Sequence, residues 1–153
     1  MNEISRRYGP RLLRLSLGLV LFWFGVLKFA PGLSPADDLA GRTIAVLTFG
    51  VVDGDVARLS LALLETAIGL ALLTGRLPRL SLAALLFQMA GTFTPLLLFP
   101  SEMWHEPFAP TLEGQYIVKN VVLVAAALAL AATTLPAAAG RGRRLPAPPE
   151  TAP

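Results

Sequence analysis

The chain has 153 residues, of which 54% are hydrophobic and 15% charged, with a formal net charge of +3 and a mean hydropathy of +0.62. A soluble domain of this size carries nearer a quarter charged residues, and the apolar residues fall in blocks of about 20, the length that crosses a bilayer. Without cysteine there is no disulfide, thiol redox or thiolate-metal chemistry, and one histidine, His105, cannot make a bis-histidine haem site from this chain alone.

Residues 1–10 are polar, with Arg6 and Arg7, and are expected to form a cytoplasmic N-terminus. Residues 11–29 form the first predicted span. A cleaved signal is the alternative, but Trp23, Phe24 and Lys28 stand where small residues would be needed. Residues 30–56 read as a loop broken by Pro31, Gly32 and Pro35. Within it, Ala36 to Phe49 is too short an apolar run to span, which predicts a short helix at the outer surface. Asp53-Gly54-Asp55 is a turn, with Asp55 placed to cap the second span.

The second span runs from Val56 to Thr74 and contains Glu65. Gly75 and Pro78 then end one helix and begin the next within a few residues, which makes spans two and three antiparallel neighbours. The third span is Pro78 to Phe99. A loop from Pro100 to Pro110 holds Glu102, Trp104, His105 and Glu106, and the fourth span runs from about Thr111 to Leu135. His105 reads as a solvated loop residue; with Glu102 and Glu106 it is at most a weak metal candidate, and no metal site is assigned. Residues 136–153, rich in Pro, Ala and Arg, read as a disordered cytoplasmic tail. The expected fold is therefore all-α: one four-helix transmembrane domain over 11–135, with a short outer-surface helix between spans one and two.

Basic residues set the expected orientation. Arg6, Arg7, Arg11, Arg14, Arg76, Arg79, Arg141, Arg143 and Arg144 all fall on one side, which places both termini and the 75–78 turn in the cytoplasm. On that topology polar groups from all four spans reach a similar depth in the outer half. These are Lys28, Glu65, Gln88 with Thr92, and Lys119 with Asn120. Gln88, Thr92 and Pro95 share one helical face. Pro95 also leaves the carbonyl of Gly91 without its donor and bends the helix. Trp23 and Tyr116 add aromatic surface at related depths.

Hydrocarbon tolerates such groups only where they face protein, water or a ligand. Lys28, Glu65, Gln88, Thr92 and Lys119 are each expected to face the interior, with Lys119 the favoured partner of Glu65 and Lys28 the second. The structural readings stand beside this one. Glu65 can simply close the bundle by pairing, Lys28 can snorkel to the outer interface, and Gln88, Thr92 and Thr94 can act as interhelical glue.

The run FWFGVLKF (22–29) resembles the end of the first helix in DoxX-like membrane proteins. ETAIGLALLTG (65–75) resembles their second-helix pattern, and GTFTP (91–95) and EGQYIVKN (113–120) resemble the third- and fourth-helix signatures. The likeness runs in order over residues 11–135, and DUF417-type proteins look similar. It implies a small four-helix subunit or accessory of a quinone-linked redox system in a bacterial-type cytoplasmic membrane. A quinone or similar lipophile would bind in the outer half of the bundle, and other subunits would supply electrons. The candidate ligand-binding residues are Lys28, Glu65, Gln88, Thr92, Lys119, Asn120, Trp23 and Tyr116; no catalytic residue is assigned and no intrinsic cofactor is expected. The rival expectation is a non-catalytic membrane partner, assembly factor or lipid-binding scaffold. Neither expectation includes nucleic acid.

Overall fold

The computed structural model of the chain describes residues 3–52 and 54–134, so the expected C-terminal tail lies outside the described residues. In order, the elements are α1 (Glu3–Leu27), α2 (Asp37–Leu47), α3 (Gly54–Thr74), α4 (Pro78–Phe93), α5 (Pro95–Leu98) and α6 (Pro100–Met103). A small antiparallel pair, β1 (Trp104–Glu106) and β2 (Ala109–Pro110), then leads into α7 (Leu112–Val118) and α8 (Val121–Thr134). Four helical stretches are long and apolar enough to cross a membrane: Arg6–Leu27, Gly54–Thr74, Pro78–Leu98 and Leu112–Thr134.

Local chemistry sets the element ends. Gly75 adopts a left-handed conformation (φ 71°) after α3, and Pro78 occupies the first turn of α4. Pro95 divides α4 from α5. The carbonyl of Gly91 is not left free, as the amino-acid pattern led us to expect: the Thr94 N–H takes it over at 3.1 Å in a tightened turn. The fourth apolar stretch is interrupted at Lys119–Asn120 without a proline, and short-range bonds from Asn120 N–H to Ile117 O and Val122 N–H to Lys119 O carry the chain across.

Three boundaries differ from expectation. Residues 3–10 are helical and belong to α1, because backbone hydrogen bonding continues past the end of the apolar run. The 100–110 segment is α6 plus a hairpin rather than a plain loop, tied down by Thr111, whose N–H donates to Met103 O and whose hydroxyl donates to Glu102 O. Asp55 does not cap α3 from outside. It lies in the first turn, where Arg58 donates to its carboxylate at 2.7 Å.

α1 packs most extensively on α3, α3 meets α4, α4 meets α8, and α8 returns to α1, so the four long stretches close a ring. Leu17, Leu21, Ile68, Leu72, Leu82, Leu85, Met89, Ala127 and Leu130 fill the interior. Fully burying such side chains stabilises by roughly 1.5–3 kcal/mol each in water. In lipid the gain comes from packing instead. Gly18 and Gly69 let the α1 and α3 backbones touch: a Cβ on Gly18 would lie 3.0 Å from the Gly69 carbonyl, and one on Gly69 would overlap the Phe22 backbone.

The same antiparallel pair is fastened at both ends by arginines. Arg58 of α3 donates to the carbonyls of Lys28 (2.6 Å) and Phe29 (3.1 Å), which end α1. Arg14 of α1 donates to the carbonyls of Leu72 and Leu73, which end α3. Each cation thus satisfies orphan carbonyls and the negative pole of the other helix. Arg14 to Lys28 and Arg58 to Leu72 are equal intervals along the two helices, about 21 Å at 1.5 Å per residue.

Candidate functional site

The interior positions of α1 are Leu17, Gly18, Leu21 and Gly25, and Lys28, just after the helix, continues the same stripe. Lys28 follows the last turn, and its side chain runs back along the helix, as side chains near a helix C-terminus do. Gly25 clears the way: a Cβ there would lie 2.6 Å from Thr66 N and 2.9 Å from the Glu65 Cβ. The Lys28 ammonium therefore reaches the Glu65 carboxylate of α3, with Nζ donating to Oε2 at 2.7 Å. From α4, Gln88 Nε2 donates to Oε1 of the same carboxylate at 2.6 Å. Lys28, Glu65 and Gln88 are only 6%, 8% and 7% exposed.

Glu65 thus accepts one donor on each oxygen. Its neighbours are not saturated. Gln88 turns its amide oxygen away from the carboxylate, and that atom is buried with no hydrogen-bond partner among the described residues; Thr66 Oγ1 is in the same condition. Lys28 Nζ makes a side-chain hydrogen bond to Glu65 alone among the described residues, which leaves N–H capacity unused. The arrangement is an anion clamped between two donors, with a spare donor on one flank and a spare acceptor on the other. Buried polar groups left unmatched cost roughly 1–3 kcal/mol each.

The other expected site residues lie elsewhere. The Thr92 hydroxyl donates to the carbonyl of Gln88 at 3.0 Å within its own helix, so it supports Gln88 without joining the cluster. Lys119 is not the partner of Glu65. α7 turns Gly114 and Ile117 inward, and Lys119, two residues beyond Ile117, lies about 200° further round and is exposed. Its ammonium sits 5.0 Å from the centre of the Tyr116 ring. Asn120 is half-buried at the break between α7 and α8. Trp23 and Tyr116 are each 62% exposed on the outside of the ring of helices, so they do not cover the interior cluster. Lys28 does not snorkel outward.

Two polar features were not anticipated from the amino-acid pattern. The first is Arg58 as the cap of α1; its place two turns from Glu65 on the same face of α3 was the available signal. The second ties α2 to α6. Arg42 grips Glu102 with two bonds, at 2.9 and 2.8 Å, contacts Asp38 at 3.2 Å and lies over the Phe99 ring at 5.1 Å. The hydrogen bond from Arg42 holds the Glu102 carboxyl below its ordinary range, and the same bond raises Arg42. His105 and Glu106 are exposed on β1, and Glu102 is taken by Arg42.

Comparison of the chain with family models, with curated proteins and with solved structures finds no match.

Proposed function

We propose that this chain is a small DoxX-like, multi-pass membrane protein. It serves as a subunit or accessory of a quinone-linked redox system, and it receives a quinone or similar lipophile against Lys28, Glu65 and Gln88. The observation that carries the reading is the unmatched pair beside Glu65: a buried acceptor on Gln88 and spare N–H groups on Lys28. A carbonyl oxygen accepts from the ammonium, and a hydroxyl donates to the amide oxygen. Such a site therefore suits a ligand that exchanges those two groups.

A bound quinone would supply reversible two-electron, two-proton chemistry. Lys28 offers a hydrogen bond to its oxygen, Gln88 accepts one from its reduced form, and Glu65 holds or releases a proton between them. A partner subunit provides the electrons.

Membrane placement is supported by four stretches of suitable length and by large exposed apolar side chains around them, among them Phe87 at 77% and Leu63 at 65%. Orientation is supported by charge. Arg11 and Arg14 near the start of α1 lie at the same end of the bundle as Arg76 and Arg79, because α1 and α3 are antiparallel. That end is cytoplasmic on the positive-inside rule. α2, α6 and the hairpin then occupy the outer end, in a bacterial-type inner membrane.

The scaffold reading has its own support, since both oxygens of Glu65 are already engaged within the chain. Native mass spectrometry of the purified protein with extraction of its lipids separates the two. A co-purifying quinone that is lost in Gln88→Leu supports the site. A chain that carries only partner helices or bulk phospholipid supports the scaffold.

A further inference from the structure

Among the described residues three that are not glycine have left-handed backbone: Phe49 (φ 54°), Leu77 (φ 51°) and Phe108 (φ 69°). Each stands in a turn. Phe49 follows α2, where its N–H donates to Val46 O and the Gly50 N–H donates to Ala45 O at 2.7 Å. Leu77 caps α4 directly ahead of Pro78. Phe108 follows Pro107 between the paired residues Glu106 and Ala109 of the hairpin, at the corner that such turns give to Gly or Asn.

All three residues are large and apolar, and all three point away from the protein: Phe49 and Phe108 are 96% exposed and Leu77 64%. In water this combination is unfavourable twice over. The left-handed region crowds a bulky side chain, and exposed apolar surface carries a hydration cost. Gly or Asn would relieve both. Backbone strain persists where the surroundings hold it in place or make use of it, and an apolar medium at these turns removes the second cost.

The positions of the three turns say what that medium is. Phe49 lies five residues before Gly54, where α3 begins, Leu77 adjoins the start of α4 at Pro78, and Phe108 lies four residues before Leu112, where α7 begins. Each therefore stands at the entry to a stretch long enough to cross a membrane. Each is continued by an exposed apolar residue in the first turn of that stretch, Val56, Leu80 and Leu112 respectively. Leu77 lies at the opposite end of the bundle from Phe49 and Phe108. One docked protein would not cover both ends, whereas the two faces of a bilayer meet both.

We propose that Phe49 and Phe108 anchor the chain in one bilayer interface and Leu77 in the other, with their side chains entering the boundary between headgroups and acyl chains. This rests on the membrane reading given above, and on neither the quinone nor its site. Apolar and aromatic side chains gain at that boundary what they lose in water. The turn after α2 and the hairpin then lie against lipid, and the cap they form is held down at two points.

The chain has no cysteine, so a nitroxide on one introduced cysteine reports one place. Labels at Phe49→Cys, Leu77→Cys and Phe108→Cys are compared in the full chain in phosphatidylcholine vesicles. Collision with oxygen, which concentrates in lipid, is set against collision with a water-soluble nickel chelate. Leu63→Cys, exposed midway along α3, and Asp38→Cys, exposed on α2, give the lipid and water references. The ratio of oxygen to nickel collisions at the three tips should exceed the Asp38 value several-fold and fall short of the Leu63 value. Tips with the Asp38 ratio, or tips shielded from both reagents by protein, overturn the proposal. A Leu63 label in water defeats the membrane reading itself, and the proposal with it. A second measurement needs no label. Phe49→Asn combined with Phe108→Asn suits the left-handed backbone better, so relief of strain alone would raise the melting temperature in vesicles. Loss of two anchors should lower it by several degrees, and an equal or higher temperature overturns the proposal.

Discussion

Lys28 and Glu65, 37 residues apart in the chain, meet at 2.7 Å with side chains only 8% and 10% exposed. The contact depends on backbone proximity: Gly25 leaves room beside Glu65, Gly69 admits the α1 backbone, and Arg58 secures the end of the helix from which Lys28 projects. Two charges withdrawn from water lose several kcal/mol of solvation each, and the pair persists because the geometry returns most of that loss.

Removing one member of the pair should therefore cost more than removing both. Lys28→Ala or Glu65→Ala leaves an uncompensated buried group and should destabilise by about 3–5 kcal/mol. Lys28→Met combined with Glu65→Leu should cost less than either Lys28→Met or Glu65→Leu alone. Unfolding in mixed detergent would measure both, and strictly additive losses would show that the two groups are not coupled.

Gly69→Val should drive α1 and α3 apart, because its Cβ would overlap the Phe22 backbone. Overpacking of this kind costs about 1–3 kcal/mol or more, and here it should also weaken the Lys28–Glu65 contact. Gly9→Val is the matched control, since a Cβ at Gly9 meets nothing within 4 Å. Equal melting temperatures for the two variants would contradict the close packing of α1 on α3.

Acid should loosen α2. Glu102 has a folded pKa below its unfolded value because Arg42 donates to it. The contribution of that contact is complete above the unfolded value, about 4.3, and is lost as the pH falls through the lower folded one. Hydrogen exchange over Asp37–Leu47, corrected for its intrinsic pH dependence, should rise only below about pH 4. In Glu102→Gln the same segment should exchange faster at neutral pH and show no acid step. An acid step of equal size in the variant would place the titrating group elsewhere.

Single cysteines at positions 38, 77, 104 and 145 test the orientation. Asp38→Cys and Trp104→Cys should react with an impermeant reagent added outside, and Leu77→Cys and Leu145→Cys should react only after the membrane is opened. The opposite pattern would invert the bundle and place the Lys28–Glu65 end in the cytoplasm.

The fold was legible where a single residue carries the signal. Gly75 and Pro78 mark the turn between α3 and α4, and the apolar run of Ala36–Phe49 is too short for anything but the small helix that α2 proves to be. The polar cluster was legible as a shared depth, which brought Lys28, Glu65 and Gln88 to one level. Depth along a helix follows from counting residues, but rotation about its axis depends on which side chains pack inward. Ile117 and Gly114 take the inner face of α7 and turn Lys119 out. Arg42 and Glu102 lie 60 residues apart on segments whose approach no local pattern announces.

The most direct measurement is the binding of a short-chain ubiquinone analogue to the purified protein in detergent, with melting followed in parallel for wild type, Glu65→Gln and Gln88→Leu. If the cluster is a site for a lipophile, the wild type binds the analogue. Gln88→Leu should bind it about tenfold or more weakly, the loss of one hydrogen bond to a buried polar group. Glu65→Gln should also bind it more weakly, because Lys28 and Gln88 lose the carboxylate that orients them, while both variants remain folded. Undiminished binding by both variants, or no binding by the wild type, would contradict the account.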